Sequence, residues 1–469
     1  MSINLLYDIS GHETVAPDSS TLKEFSVDGI VPEAVVCPES LDQAAEIIKL
    51  ANKQNWAVIP WGGGTKMALG KVPTRCNLAL STSRLNKIVD LDVANLTVTA
   101  QAGAKLVDLQ DLLAGAENRC FFPPDDNLKE QADYMCTSGD YKGVFLPLDP
   151  PFPDRVTLGG VVATNSTGPK RLHYGAPRDL ILGVKYVSPT GRIISMGGKT
   201  VKNVSGYDVS KIMIGSLGTL GILGEITFRL LPLPEQCATA VAAFDTFGAA
   251  KAFADRILGS KLLPTCLEIL NRAAYGLTSS PDLILPPAGW VVAAAVEGFE
   301  EEVKMEIADL NDMAQRDGAL NSAQLDREKA ATFWRMLANC GIAPQGKTVV
   351  KFKGSFLISR YAEVMEAWSQ ASSDYQAALT ASAGLGLAYG YIFFRPDEDP
   401  EKLAAVGKAF REAAEKHEGS MVMECAPASL KRKLDPWGRP SDDFPLMKRI
   451  KENVDPLGVL NPGRFLGGI

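Results

Sequence analysis

The chain has 469 residues, 46% hydrophobic and 22% charged, a globular composition that excludes disordered and fibrous classes. With 48 Lys and Arg against 55 Asp and Glu the net charge is −7, which excludes a general nucleic-acid binder. No run of roughly 18 apolar residues occurs and residues 1–20 lack a basic segment before an apolar one, so no transmembrane segment and no secretory signal are expected and the chain reads as cytoplasmic.

The length calls for two or three domains. Residues 34–38 read as a strand. Ser40 and Gln43 form a capping box for a helix with an apolar stripe through Ala44, Ile47, Ile48 and Ala51. Strands follow at 57–60, 78–80 and 96–100, and Leu106, Leu109, Leu112 and Leu113 mark a helix that closes a small α/β unit near residue 115. Residues 116–150 are polar and bracketed by prolines, and read as an inserted excursion serving a partner contact. Residues 180–187 and 192–195 make a hairpin around Pro189-Thr190-Gly191, 208–213 a short helix, and 222–231 a strand ended by Pro232 and Pro234. Beyond Pro234 the pattern becomes strand–helix–strand twice over: strands at 239–244, 266–270, 290–296, 348–353 and 385–394, helices at 247–258, 300–315, 361–372 and 401–416. Such alternation suits an antiparallel sheet with helices on one face. A last helix spans 444–453, followed by a fixed loop at Asn461-Pro462-Gly463-Arg464.

Eight scattered cysteines contain no C-x-x-C, so zinc and iron–sulfur sites built by this chain are not expected, and no metal site is assigned. Histidines number three, His12, His173 and His417.

The strongest local signal is Pro60-Trp61-Gly62-Gly63-Gly64-Thr65-Lys66, directly after a buried strand. Consecutive glycines let backbone N–H groups turn inward around an anion. A Walker loop is ruled out by the spacing from Gly64 to Gly70, and a Rossmann fingerprint by Met67 where a third glycine is required. A second small, polar, glycine-rich stretch runs through Thr157, Gly159, Gly160, Thr164 and Asn165, and a third from Gly215 to Ile222. Three such loops within about 160 residues point to close approach to a large flat ligand.

These segments, with Lys202 to Asp208, Ser166 to Arg171 and Asn453 to Arg464, occur in the order found in flavoproteins of vanillyl-alcohol-oxidase type, which the chain resembles, nearest to the FAD-binding E subunits of bacterial glycolate oxidases. The resemblance implies an α+β fold: a bipartite FAD-binding domain at 1–234, with the 116–150 insertion, an α/β cap domain of antiparallel sheet and helices at 235–440, and a C-terminal segment at 441–469 returning to the first domain. It implies that Pro60, Trp61, Gly62, Gly63, Gly64, Thr65 and Lys66 hold the FAD pyrophosphate. Thr157, Gly159, Gly160, Thr164, Asn165, Gly168 and Arg171 would line pyrophosphate and flavin, Gly218, Gly221 and Ile222 the adenosine side, and Asn461 would close over the flavin. Leu217 stands where dehydrogenases of the family usually carry Glu, and the cap lacks their histidine-rich motif, its sole histidine being His417 at a helix end.

With so few histidines, noncovalent FAD is expected. The catalytic residue is left open among His173, Tyr391 and Arg395. His173 reads equally as a flavin neighbour or a structural histidine; Tyr389 and Tyr391 share a strand face, and Arg171, Arg178 and Arg395 read as anion clamps or as solvated arginines. The functional expectation is an FAD subunit of a 2-hydroxy-acid (glycolate or lactate type) dehydrogenase complex, relaying electrons between a second, catalytic FAD-linked subunit and an iron–sulfur subunit, with membrane attachment only through those partners. Two alternatives stay open: a stand-alone FAD-linked oxidase with a non-histidine base, and a flavin-bearing assembly subunit without turnover.

Overall fold

The computed structural model describes residues 4–16, 18–116, 119–122, 132–135, 143–199, 209–278 and 289–469. They divide into two compact units, one of residues 1–167, 176–233 and 439–469, the other of 168–175 and 234–438.

In the first unit a four-stranded sheet runs in the order Val15–Ala16, Ala34–Val36, Leu78–Ser81, Val58–Trp61, with the last three strands parallel. The helix Leu41–Gln54 covers it, burying Leu41, Ala44, Ala45, Ile47, Ile48 and Ala51. Ser40 Oγ accepts from the Gln43 N–H, while the Gln43 side chain reaches back to the N–H of Glu39, one residue before the expected partner. Asn55 ends the helix in the left-handed region, φ 54°.

A seven-stranded antiparallel sheet makes the second layer, in the order Ile193–Gly197, Ile181–Val187, Ile222–Arg229, Thr97–Gln101, Ile88–Asp92, Arg119–Phe122, Ala132–Met135. Its core gathers the helices Leu106–Ala114 and Leu158–Thr164 around Leu109, Leu113, Val161, Val162, Ile226 and Phe228. Part of the 116–150 excursion is therefore a hairpin extending this sheet, and Val144–Phe145 pairs with Leu231–Pro232. Residues 117–118, 123–131 and 136–142 of the excursion, and the 202–208 motif, lie outside the described residues.

The second unit holds one eight-stranded antiparallel sheet, in the order Asn321–Leu325, Gln236–Phe244, Trp290–Gly298, Cys266–Asn271, Gln376–Ser382, Leu387–Phe394, Thr348–Ser355, Ser420–Cys425. Each half runs strand–helix–strand–strand–helix–strand, with the helix Arg272–Thr278 added between the middle strands of the first, and the halves join where Cys266–Asn271 pairs with Gln376–Ser382. The helices Phe247–Leu258, Glu300–Arg316, Tyr361–Ala371 and Pro400–Lys416 bury one face. Helices are not confined to that face. Arg272–Thr278 and Arg327–Ala338 cover part of the other, through Ala274, Tyr275, Phe333 and Leu337. Neither was expected: the first is only seven residues long, and the second buries a short stripe of Ala330, Phe333 and Leu337.

Trp368 anchors the main core of this unit. It is fully buried, stacks on Phe410 with ring centroids 4.4 Å apart, and donates Nε1–H to the Phe410 carbonyl at 2.9 Å. Trp368→Ala should lower stability by about 3–5 kcal/mol. A urea-unfolding midpoint within error of the parent would show that the site collapses around the deletion.

Candidate cofactor site and the polar face of the second unit

The three glycine-rich loops meet in the first unit around one pocket. Pro60, Trp61, Gly62 and Lys66 line it from the first loop, Gly159, Gly160, Ala163 and Thr164 from the second, and Ser216, Leu217, Gly218, Gly221 and Ile222 from the third. Leu69, Thr82, Ala102, Leu223, Asn461 and Arg464 complete the lining. The second loop forms a short helix because Thr157 caps it, its Oγ1 accepting from the Gly160 N–H at 3.3 Å, and Asn165 stops it at φ 47°.

The glycines are required first by the loops themselves. A β-carbon at Gly63 would lie 2.1 Å from the Arg155 carbonyl oxygen, and one at Gly62 would lie 2.4 Å from Thr157 Oγ1. Gly218 combines φ +67° with a β-carbon position 2.9 Å from Pro60 Cγ. Backbone hydrogen bonds fasten the contacts: Gly159 N to Ala102 O at 2.7 Å, Leu217 N to Ala163 O at 2.8 Å, and Gly215 N to Val162 O at 2.9 Å.

The C-terminal segment seals one side. Val58 N donates to Val459 O at 2.8 Å and Asn461 N to Val58 O at 2.9 Å, adding residues 459–461 beside the strand Val58–Trp61. Asn461 Nδ2 donates to Leu217 O at 2.5 Å. Arg464 donates from Nη2 to the carbonyls of Met67 and Leu69, and burial lowers its guanidinium to about 10 against the opposing pull of Asp28. The Oδ1 atoms of Asn165 and Asn461 are buried without a hydrogen-bond partner among the described residues. A lining of glycine backbone and apolar side chains, with the orphaned Asn461 acceptor in it, suits an extended cofactor bearing phosphates and N–H or O–H donors.

Of the residues singled out in the sequence, the pocket brings together Pro60, Trp61, Gly62, Lys66, Gly159, Gly160, Thr164, Gly218, Gly221, Ile222 and Asn461. Gly63, Gly64, Thr65, Thr157 and Asn165 belong to the same loops without lining it. Gly168 and Arg171 belong to the second unit. There Lys170 Nζ lies 2.7 Å from Glu297 Oε1, and Tyr174 Oη donates to Glu297 Oε2 at 2.8 Å, anchoring the 168–175 segment. Leu217, Leu69 and Arg464 were not singled out as cofactor-lining residues: Leu217 and Arg464 lie within noted motifs but are not themselves glycines, and Leu69 lies outside any motif.

The second unit carries a separate polar cluster on the sheet face opposite its four long helices. Lys351 Nζ is 2.8 Å from Glu424 Oε2, with both side chains about nine-tenths buried. The same ammonium sits 4.8 Å from the Tyr389 ring centroid and 5.4 Å from that of Tyr391. Burial, followed by neighbouring Glu424 for Tyr389 and by Cys340 for Tyr391, pushes both phenols well above their ordinary range. Glu268 is buried on the same face and accepts from Ser382 Oγ. The sequence marked only the tyrosines, because Lys351 and Glu424 are far apart along the chain.

The other catalytic candidates do not join this cluster. Arg395 is exposed and 3.8 Å from Asp397, His173 is exposed with its ring against Tyr174, and Arg178 is exposed. His417 caps the helix Pro400–Lys416, and His12 stacks on Tyr7 at 3.9 Å. Among the described residues no group of His, Cys, Asp and Glu is arranged to hold a metal ion, and no helix is long and apolar enough to cross a membrane.

A family of FAD binding domains matches residues 32–126 and 138–197, and a second, the C-terminal domain of FAD linked oxidases, matches 233–465. The chain belongs to the FAD-linked oxidases, an FAD binding domain followed by the C-terminal domain of that family. The FAD-domain match breaks at 127–137, inside the excursion. Glycolate oxidase subunit GlcD of Bacillus subtilis is 26% identical over 474 residues, covering 98% of this chain and 95% of that protein. A D-lactate dehydrogenase of Anaerostipes hadrus is 25% identical over 465 residues, covering 92% and 89%. p-Cresol methylhydroxylase with substrate bound superimposes with a TM-score of 0.70 at 15% identity, covering 98% of this chain and 95% of that one, a likeness of fold. The cofactor of this family is FAD, and the residues of the pocket fit it.

Gly63→Asp would force the 62–64 loop off Arg155 and place a carboxylate beside the pocket. Flavin content on purification should fall to less than ~10% of the parent, with far-UV circular dichroism retained. A folded variant with full flavin absorbance would mean that the loop is only a turn.

Proposed function

We propose that the pocket of the first unit holds noncovalent FAD, and that the chain is the FAD-bearing subunit of a 2-hydroxy-acid dehydrogenase complex that passes electrons between a catalytic flavoprotein and an iron–sulfur subunit. Pro60 to Lys66, Thr157 to Asn165 and Gly218 to Ile222 seat the cofactor, and Asn461 and Arg464 close the seat. Bound FAD supplies hydride and one-electron chemistry. The chain's own part is to position it, shield it and handle protons.

The observation that carries the relay reading is the placement of the three histidines. None lines the pocket or joins the Lys351 cluster, and histidine is the side chain that most readily takes a hydroxyl proton near neutral pH. The substrate class comes from the relatives, a glycolate oxidase subunit and a D-lactate dehydrogenase. The named subunit at 26% identity is GlcD, whereas the relay role is that of an E-type subunit; the histidine-poor cap supports the latter for this chain.

A second reading, the stand-alone dehydrogenase, is favoured by one observation. Lys351, Glu424, Glu268, Tyr389 and Tyr391 form a buried titratable cluster, the usual setting of acid–base chemistry. Anaerobic stopped-flow mixing of the purified holoprotein with glycolate or D-lactate separates the two. The relay reading expects slow or no bleaching by substrate, and full bleaching by dithionite. Rapid substrate bleaching, abolished by Glu424→Gln, would make the chain an independent dehydrogenase.

Noncovalent attachment has its own check. Acid precipitation should leave FAD in the supernatant, and colour retained in the pellet would contradict it.

A further inference from the structure

The helix Phe444–Val454 has one buried residue, and it is a lysine. Lys451 is 6% exposed, and its ammonium uses all three donors: Thr219 O at 2.8 Å, Asp455 Oδ2 at 2.6 Å and Leu460 O at 2.9 Å. Asp455 is 3% exposed and in turn accepts the N–H groups of Val459 and Leu460, each at 2.9 Å. Two of these contacts end on residues next in sequence to the lining of the cofactor pocket. Thr219 belongs to the third glycine-rich loop, next to Gly218, and Leu460 precedes Asn461, whose side chain spans to Leu217 of that loop. A buried ammonium is costly unless each donor is met, as it is here.

We propose that Lys451 is a positioning residue for the cofactor: it sets the spacing between the 215–221 loop and residues 459–461, and so fixes Asn461 at the pocket. The inference rests on the pocket being the FAD seat. It adds that docking of the C-terminal segment and binding of FAD are one coupled equilibrium. An arginine cannot replace Lys451, because a planar fork does not meet three acceptors arranged around a single nitrogen.

The test is titration of the FAD-stripped full chain with FAD, followed by flavin fluorescence, alongside the unfolding midpoint of the stripped protein. Lys451→Met should raise Kd at least about tenfold, and Asp455→Asn by a smaller factor. A purely structural lysine would lower the midpoint and leave the Kd of the folded fraction unchanged, which would overturn the proposal. Should Lys451→Met fail to fold, amide exchange of the parent decides: FAD must slow exchange at Leu217, Thr219 and Asn461 together, and protection of the loop without Asn461 would overturn it. Gly63→Asp separates the premises. If that variant retains FAD, the pocket assignment fails; if it loses FAD while Lys451→Met binds normally, only the role of Lys451 fails.

Discussion

Loops packed backbone to backbone, with no space for a β-carbon, are the constraint on which the cofactor site depends. Gly62 meets Thr157, Gly63 meets the Arg155 carbonyl, and Gly159 sits against Ala102. Each loop is the mould of the next, so a side chain added to one displaces another before any ligand is involved. The glycines thus serve two ends at once. They let the loops interlock, and they leave walls of backbone that phosphate oxygens and ring edges can approach closely. Polar side chains that line the pocket include Asn461, Arg464, Lys66, Thr82 and Thr164.

The second unit solves a different problem. Doubling a strand–helix–strand–strand–helix–strand repeat yields an eight-stranded sheet whose one face is sealed by four amphipathic helices. The opposite face is only part covered, and there the sheet buries Lys351, Glu424 and Glu268 among tyrosines. Such a buried pair adds little to stability compared with apolar residues of the same volume, yet removing one partner costs about 3–5 kcal/mol. The rest of that face is apolar or aromatic, so the pair stands out against it.

Much of this was legible in the sequence, and the failures have physical causes. Long amphipathic helices were readable because their stripes are local: Ala44, Ile47, Ile48 and Ala51 suffice for one. The three loops were readable because glycine runs are rare and ordered along the chain. The strand Asn321–Leu325 escaped because it is polar and lies at the sheet edge, and Gln376–Ser382 because its small alternating residues show no clear period. Lys351 and Glu424 escaped for another reason. Their strands become neighbours only when the sheet closes, with Lys351 opposite Cys425, and no spacing along the chain records that pairing. Lys451 likewise carries no mark in the sequence that separates it from a surface lysine on an amphipathic helix.

The two readings of the enzyme turn on whether the Lys351–Glu424 pair can open. While it is closed, the ammonium is committed to the carboxylate and flanked by two phenol rings, so neither partner is offered to a substrate. A substrate carboxylate could displace Glu424 from Lys351, exchanging one ion pair for another at small net cost and freeing a base in the same step. That exchange requires a site reachable by a small acid. On the relay reading the site is not reached and the pair stays closed. The absence of histidine from this cluster favours the relay reading, and access of a small acid to the pair would favour the dehydrogenase.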